Sequence, residues 1–202
     1  MDNYFEFYNP VKICSGKNAL SNLPNELESL NVSKPIIITD KGVEGAGLLD
    51  YVINSFKESV ITPLVIFNEV PPDSGKDTVN KCAKIYREKG CDSIIAVGGG
   101  SVIDTAKGVN ILVSENGDDL MKFCGANILT KPLNPFIVVP TTSGTGSEVT
   151  LVAVIADKEK NIKMLFLSPF LLPNVAIIDP KTTLTLPPRV TAATGIDALT
   201  HA

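Results

Sequence analysis

Two residue types that bind metals stand close together near the end of the chain. His201, the only histidine, follows Asp197 by four positions. Residues four apart share one face of an α-helix, so a carboxylate and an imidazole would lie side by side. Such donors bind divalent metals, but a complete site needs further ligands. The spacing leaves two interpretations open, half of a metal site or an ordinary hydrogen-bonded pair on a helix.

A glycine turn is the second candidate site. Gly98, Gly99 and Gly100 follow an apolar run and precede Ser101, where a helical pattern begins. Glycines let a phosphate group approach the backbone, and the free N–H groups of a helix start bind it. The alternative is a tight turn with a capping box, in which Ser101 is the N-cap and Asp104 occupies position N3. That alternative does not require three glycines in a row, so the pattern favours phosphate binding.

A single carboxylate, Asp40, ends an earlier apolar run. At the carboxyl end of a strand it could accept hydrogen bonds from an adenosine ribose and repel a 2′-phosphate. It could equally be a turn residue that precedes Lys41 and Gly42. In the usual dinucleotide fingerprint the glycines precede the acid. Here the acid comes first, so the arrangement is not an ordinary Rossmann motif.

A polar loop, Pro140–Glu148, follows another apolar run and is dense in Thr, Ser and Gly. Its hydroxyl groups and backbone donors suit a pyrophosphate, a ribose or a nicotinamide amide. The alternative interpretation is an ordinary polar surface loop.

These candidate sites need a scaffold, and apolar runs alternating with amphipathic stretches predict one. Runs that are apolar throughout and separated by helices are typical of a parallel sheet covered on both faces. Right-handed crossovers then give a doubly wound, Rossmann-like α/β fold. The predicted strands are Pro35–Thr39, Thr62–Phe67, Ser93–Val97 and Phe136–Val139, and the predicted helices run from Gly42 to about Phe56, from Asp73, and from Ser101 to about Val113.

Beyond Thr150 the pattern changes. Three further strands are predicted, the first two as a hairpin, at Leu151–Ala156, Lys163–Leu167 and Val175–Ile178. Asp179–Pro188 has the character of a linker, and Val190–Ala202 has a helical pattern.

Composition excludes several classes of protein. Of the 202 residues 44% are hydrophobic and 20% charged, which is typical of a globular chain with a well-filled core. The net charge of −4 argues against a nucleic-acid partner. The apolar runs are too short to span a bilayer, so no membrane partner is expected. The four cysteines show no metal-binding spacing, and together with the absence of a signal peptide they predict a cytoplasmic protein.

Taken together, these segments resemble the iron-containing (group III) alcohol dehydrogenases from about Phe5 onward. Four motifs in the same order carry the resemblance. They are Thr39–Gly42, Gly98–Ser101 with Asp104, Ala106 and Lys107, Pro140–Thr142 with Gly144–Glu148, and Thr191–Gly195 continuing into Asp197–Ala202.

The resemblance implies an oxidoreductase that interconverts a primary alcohol and its aldehyde with a dinucleotide and a metal. NAD is the expected cofactor, with NADP less favoured, and Fe²⁺ is the expected metal, with Zn²⁺ as the alternative. Residues 1–186 would form the NAD(P)-binding α/β domain, and 187–202 the first helix of a truncated, all-helical metal-binding domain. The partners implied are a small alcohol or aldehyde and further copies of the chain in a homo-oligomer.

The resemblance also implies roles for individual residues. The family binds its metal through one Asp and three His, and Asp197 and His201 match the first two. Val70–Asp73 departs from the family, because many members carry an Asn between two prolines there. The implied cofactor-binding residues are Asp40, Gly98, Gly99, Gly100, Ser101, Asp104, Thr141, Thr142, Ser147, Thr150 and Lys163.

Two alternatives remain beside an iron-dependent alcohol dehydrogenase. One is a zinc-type relative that resembles glycerol dehydrogenase or dehydroquinate synthase. The other is a dinucleotide-binding module without catalysis of its own. With two of four metal ligands, we expect the chain to be an incomplete fragment that is inactive alone.

Overall fold

A computed structural model describes residues 4–201. Its strands are β1 (Lys12–Ser15), β2 (Pro35–Ile38), β3 (Val65–Phe67), β4 (Ser93–Gly98), β5 (Gly125–Ala126), β6 (Phe136–Pro140), β7 (Val152–Asp157), β8 (Ile162–Leu167) and β9 (Val175–Ile178). Its α-helices are α1 (Leu23–Ser29), α2 (Lys41–Gly45), α3 (Leu48–Asn54), α4 (Lys76–Lys89), α5 (Gly100–Ser114) and α6 (Pro188–His201).

A six-stranded sheet organises the chain, in the order β1-β9-β6-β4-β2-β3. Every pairing in it is parallel. The predicted α/β fold with a Rossmann-like parallel sheet is therefore confirmed. β1 was not predicted, because it is short, is exposed at every residue except the half-buried Cys14, and carries no continuous apolar run.

The central strands are buried on both faces, which explains why they are apolar throughout. In β2, Ile36 and Ile38 face one hydrophobic core while Ile37 faces another. β4 follows the same rule, since successive side chains of a strand point to opposite faces. Helices α4 and α5 cover the first face, and α1 and α3 cover the second.

A second, three-stranded sheet has the order β5-β8-β7 and contains the predicted hairpin, β7 and β8. Its apolar residues, such as Ile155 and Phe166, join the core beside α4 and α5.

The structure corrects three helix and linker assignments. The helix predicted between Gly42 and Phe56 is divided into α2 and α3. Asp73 does not open a helix, since its φ is 48° and α4 begins at Lys76. The segment predicted as a linker after Ile178 is packed, with Asp179 and Thr182 almost fully buried.

α6 begins close to the predicted boundary at residue 187, but its role as the start of another domain stays a prediction. None of its described residues is buried, and Ile196 and Leu199 are exposed. Within residues 4–201, no helix combines the length and apolarity that crossing a membrane requires.

Candidate functional site

The carboxyl ends of three neighbouring strands bring the predicted motifs together. β4 lies between β2 and β6, with Ile38 opposite Ala96 and Gly98 opposite Pro140. Asp40, the glycine turn and Thr141 each follow one of these strand ends directly. In open α/β sheets this edge is where ligands bind.

A cleft of about 810 Å³ opens along this edge. That volume lies within the usual range for small-molecule and cofactor sites. Six of the predicted cofactor-binding residues line it, namely Asp40, Gly99, Gly100, Ser101, Thr141 and Thr142.

The glycine turn leads into α5, whose N-cap is Gly99, with no side-chain cap. The capping-box interpretation is therefore wrong. Ser101 lies inside the helix, and the Asp104 carboxylate accepts a hydrogen bond from the Val154 N–H at 3.0 Å instead of capping α5. The first N–H groups of a helix have no partner within it, so the start of α5 offers donors to an anion.

Gly98 and Gly99 have different reasons for lacking a side chain. A Cβ at Gly98 would lie 2.6 Å from the Val102 side chain, so this glycine lets α5 pack against the end of β4. A Cβ at Gly99 would lie 3.1 Å from the Thr142 side chain at the floor of the cleft. The bare backbone there forms a cradle that a phosphate group can approach.

Asp40 caps a helix and also lines the cleft. Its Oδ1 accepts a hydrogen bond from the Val43 N–H at 2.8 Å and thereby caps α2. The residue is half-buried and also lines the cleft. A turn residue can therefore also present a negative charge to a ligand.

A smaller polar pocket of about 130 Å³ adjoins the cleft, and Ser101 lines both. Asp104 and Lys163 line it too, while their contact with a cofactor stays a prediction. Ser74, which was not predicted, contributes a buried hydroxyl without a hydrogen-bond partner among the described residues. A buried polar group without a partner is costly, so this hydroxyl suits a polar group supplied by a ligand or by water.

Three predicted residues, Gly98, Ser147 and Thr150, line neither cavity. Ser147 is buried, with its Oγ 3.5 Å from where a Cβ of Gly100 would lie. Thr150 is bound by Lys107. Its carbonyl oxygen and its Oγ1 accept hydrogen bonds from Lys107 Nζ at 2.8 and 3.3 Å.

Lys107 belongs to one of the motifs that carry the family resemblance, but the sequence did not predict a role for it in the cofactor site. It is 1% exposed, and burial lowers the pKa of its ammonium to about 8. A signal was present in the sequence, because α5 is otherwise apolar on nearly every side and a lysine there cannot reach solvent easily.

The segment after β9 supplies a wall of the cleft that sequence reasoning missed. Thr182 Oγ1 donates a hydrogen bond to the carbonyl oxygen of Pro140 at 2.8 Å. This bond attaches the segment to the end of β6. α6 completes the wall. The lining residues of the two elements are Thr182, Thr185, Leu186, Pro187, Val190 and Thr194.

Asp197 and His201 lie on one face of α6, as their spacing predicts. The carboxylate Oδ1 and the imidazole Nδ1 are 3.9 Å apart, and both side chains are accessible. Their oxygen and nitrogen donors fit a divalent metal. Within residues 4–201 there is no group of three or more His, Cys, Asp or Glu residues arranged around one point, so these two form a partial ligand set.

Comparison with known proteins gives consistent matches along the chain. The family described as iron-containing alcohol dehydrogenase matches residues 10–180. The choline dehydrogenase of Bacillus subtilis (strain 168) is 40% identical over 204 residues, covering 100% of this chain and 50% of that protein. The NAD-dependent methanol dehydrogenase of Bacillus methanolicus is 34% identical, over 97% of this chain and 51% of its own.

A solved structure has the same fold. The crystal structure of a 1,3-propanediol oxidoreductase superimposes with a TM-score of 0.91 at 37% identity, covering 98% of this chain and 52% of that one. The chain thus spans about half the length of the curated relatives it matches.

Proposed function

Because the chain belongs to the iron-containing alcohol dehydrogenase family, we propose that it binds NAD(H) and forms the dinucleotide side of an enzyme that interconverts an alcohol and its aldehyde. The observation that supports this most directly is the cleft at the carboxyl ends of β2, β4 and β6. It is lined by the acidic side chain of Asp40 and by a helix start with a glycine cradle.

The residues of the cleft would divide the dinucleotide between them. The N–H groups at the start of α5 would bind the pyrophosphate, with Gly99 providing close approach. Asp40 would accept hydrogen bonds from the adenosine ribose. Since Ser101 lines both cavities, the second nucleoside would extend from the pyrophosphate toward Asp104 and Lys163.

The bound groups would bring the reactivity that these side chains lack. A nicotinamide would accept or return hydride, and Asp197 and His201 would hold part of a divalent metal that would supply Lewis-acid chemistry. The chain's own contribution is to fix the orientation of the dinucleotide and exclude water along one side of it.

We expect the 202-residue chain to bind NADH but not to oxidise alcohols, because its described residues offer only two metal donors. Titration of NADH fluorescence measures the first property. Absorbance at the NADH band, with a primary alcohol, NAD⁺ and added Fe²⁺ or Zn²⁺, measures the second.

The two results test different parts of the proposal. No saturable change in NADH fluorescence would contradict dinucleotide binding. Turnover by the purified chain would show instead that two donors suffice.

We also expect Asp40 to favour NADH over NADPH by repelling the 2′-phosphate. In Asp40→Gly the preference should fall by about tenfold, the change that corresponds to ~1.4 kcal/mol. Glycine is tolerated as an N-cap at a cost of only a few tenths of a kcal/mol, so α2 should remain folded.

Asp40→Asn is the matched variant, because its amide oxygen can still cap α2 while the charge is gone. It should relax the preference to a similar degree. NADPH affinities that stay unchanged in both variants would remove Asp40 from the site.

A further inference from the structure

One edge of β7 has no neighbouring strand, because β7 is the last strand of the small sheet. Alternate residues of an antiparallel strand direct both their N–H and C=O groups to the same edge. On this edge the groups belong to Val152, Val154 and Ala156, and the preceding Thr150 extends the series. Backbone groups along an unpaired strand edge need partners from the protein or from water.

Side chains of α5 supply partners for three of these groups, while the Ala156 N–H donates to the Ser74 carbonyl at 3.2 Å. Lys107 Nζ donates to the carbonyl oxygens of Thr150 and Val152, each at 2.8 Å. The Asp104 carboxylate accepts from the Val154 N–H at 3.0 Å. The two side chains are three residues apart on one face of the helix, so together they replace a strand along this edge.

This contact reaches the predicted cofactor pocket. Asp104 lines the smaller pocket that continues from the cleft, whereas Lys107 lies behind it and lines neither cavity. Thr150 lies two residues beyond the polar loop, whose residues Thr141 and Thr142 line the cleft. Because Lys107 binds Thr150 and Val152, a displacement of its ammonium would shift the end of this loop and the edge of β7 that holds Asp104 through Val154.

We propose that Lys107 is a positioning residue, which holds Asp104 and the end of the polar loop in place for the dinucleotide without touching it. The proposal rests on the proposed function and goes one step beyond it, since it assigns dinucleotide affinity to a side chain outside the cleft.

The charges around the pair determine how it responds to pH. Lys107 faces Asp104 on its own helix and Glu148 on the polar loop. Lys163 of β8 and Asp73 line the same pocket as Asp104. Burial raises the pKa of Asp104, while the Val154 N–H and the Lys107 charge act in the opposite direction.

The test is NADH titration of the Lys107→Met variant between pH 5 and 8. At pH 7 we expect the dissociation constant to rise about tenfold. NADH affinity should fall as acid protonates Asp104. Without the neighbouring positive charge the pKa of Asp104 rises, so the midpoint of this loss should move up by about one pH unit. A purely structural role for Lys107 would not move that midpoint.

Two further variants complete the experiment. Lys84→Met, at a position on α4 that is 75% exposed, should keep both the affinity and the midpoint. The Asp104→Asn side chain can still accept a hydrogen bond from the Val154 N–H but cannot titrate. The NADH affinity of this variant should therefore not fall in acid. If Lys107→Met does not fold, the result for Asp104→Asn decides the outcome.

The possible failures are distinguishable. If the wild-type chain binds no NADH, the proposed function fails and this assignment with it. If wild type and Lys107→Met bind NADH alike, with the same midpoint, only the Lys107 assignment is overturned. An acid-dependent loss of affinity that persists in Asp104→Asn also overturns it.

Discussion

Replacing Gly99 with valine should lower the affinity for NADH by about 100-fold or more, which corresponds to ~2.7 kcal/mol. The added Cβ would lie 3.1 Å from Thr142 Cγ2 and 3.2 Å from its Oγ1, at the floor of the cleft. The valine methyl groups would then occupy the space in front of the first N–H groups of α5. A phosphate held by those groups would lose both its donors and its close approach to the backbone.

The fold should survive this substitution, because Gly99 has a φ of −85°, which other residues adopt without strain. Gly45→Val is the matched control, since a Cβ at Gly45 would meet no atom within 4 Å and the residue does not line the cleft. NADH titrations of both variants, with circular dichroism to check folding, measure the effect. Wild-type affinity in Gly99→Val would place the pyrophosphate elsewhere.

The Asp179→Ala substitution should destabilise the chain by about 3–4 kcal/mol, the sum expected when the buried Leu20 N–H and the half-buried Tyr51 hydroxyl lose a carboxylate acceptor. Asp179 is 1% exposed and follows the end of β9. It accepts hydrogen bonds from the Tyr51 hydroxyl at 2.8 Å, the Leu20 N–H at 3.3 Å and the Lys181 N–H at 3.1 Å. These bonds join three separate segments of the chain.

The same substitution should weaken NADH binding, because Asp179 fixes the start of the segment that forms one wall of the cleft. Its neighbour Thr182 attaches that wall to Pro140. Urea unfolding measures the stability change. Asp50→Ala, at an exposed position on α3, is the control and should stay within ~0.5 kcal/mol of wild type. Equal urea midpoints for Asp179→Ala and Asp50→Ala would show that the Asp179 contacts contribute little to the stability of the fold.

The sequence was sufficient to predict the centre of the fold. β2, β4 and β6 are buried on both faces, so their sequences are continuous apolar runs that stand out without a structure. Parallel strands bring their carboxyl ends to one edge, and for that reason Asp40 and the glycine turn, each predicted at a strand end, line one cleft.

The sequence did not predict contacts between distant segments. The partner of Asp104 is Val154, fifty positions away in the chain, so the nearby Ser101 suggested a capping box instead. The segment after Asp179 resembles a linker because it is rich in Pro and Thr. Its burial depends on Tyr51 and Leu20, which no local pattern connects to it.

The division of the sheet into two separate hydrophobic cores has a consequence for how the chain can vary. Ile36 and Ile37 are adjacent in sequence, yet they pack against different sets of helices. Substitutions around α1 and α3 therefore leave the packing of α5, and with it the phosphate cradle, largely unaffected. The loss of a single residue within β2 would exchange the two sets of side chains between the faces. A substitution in one core thus affects one face of the sheet, whereas a shift in the register of a central strand affects both cores at once.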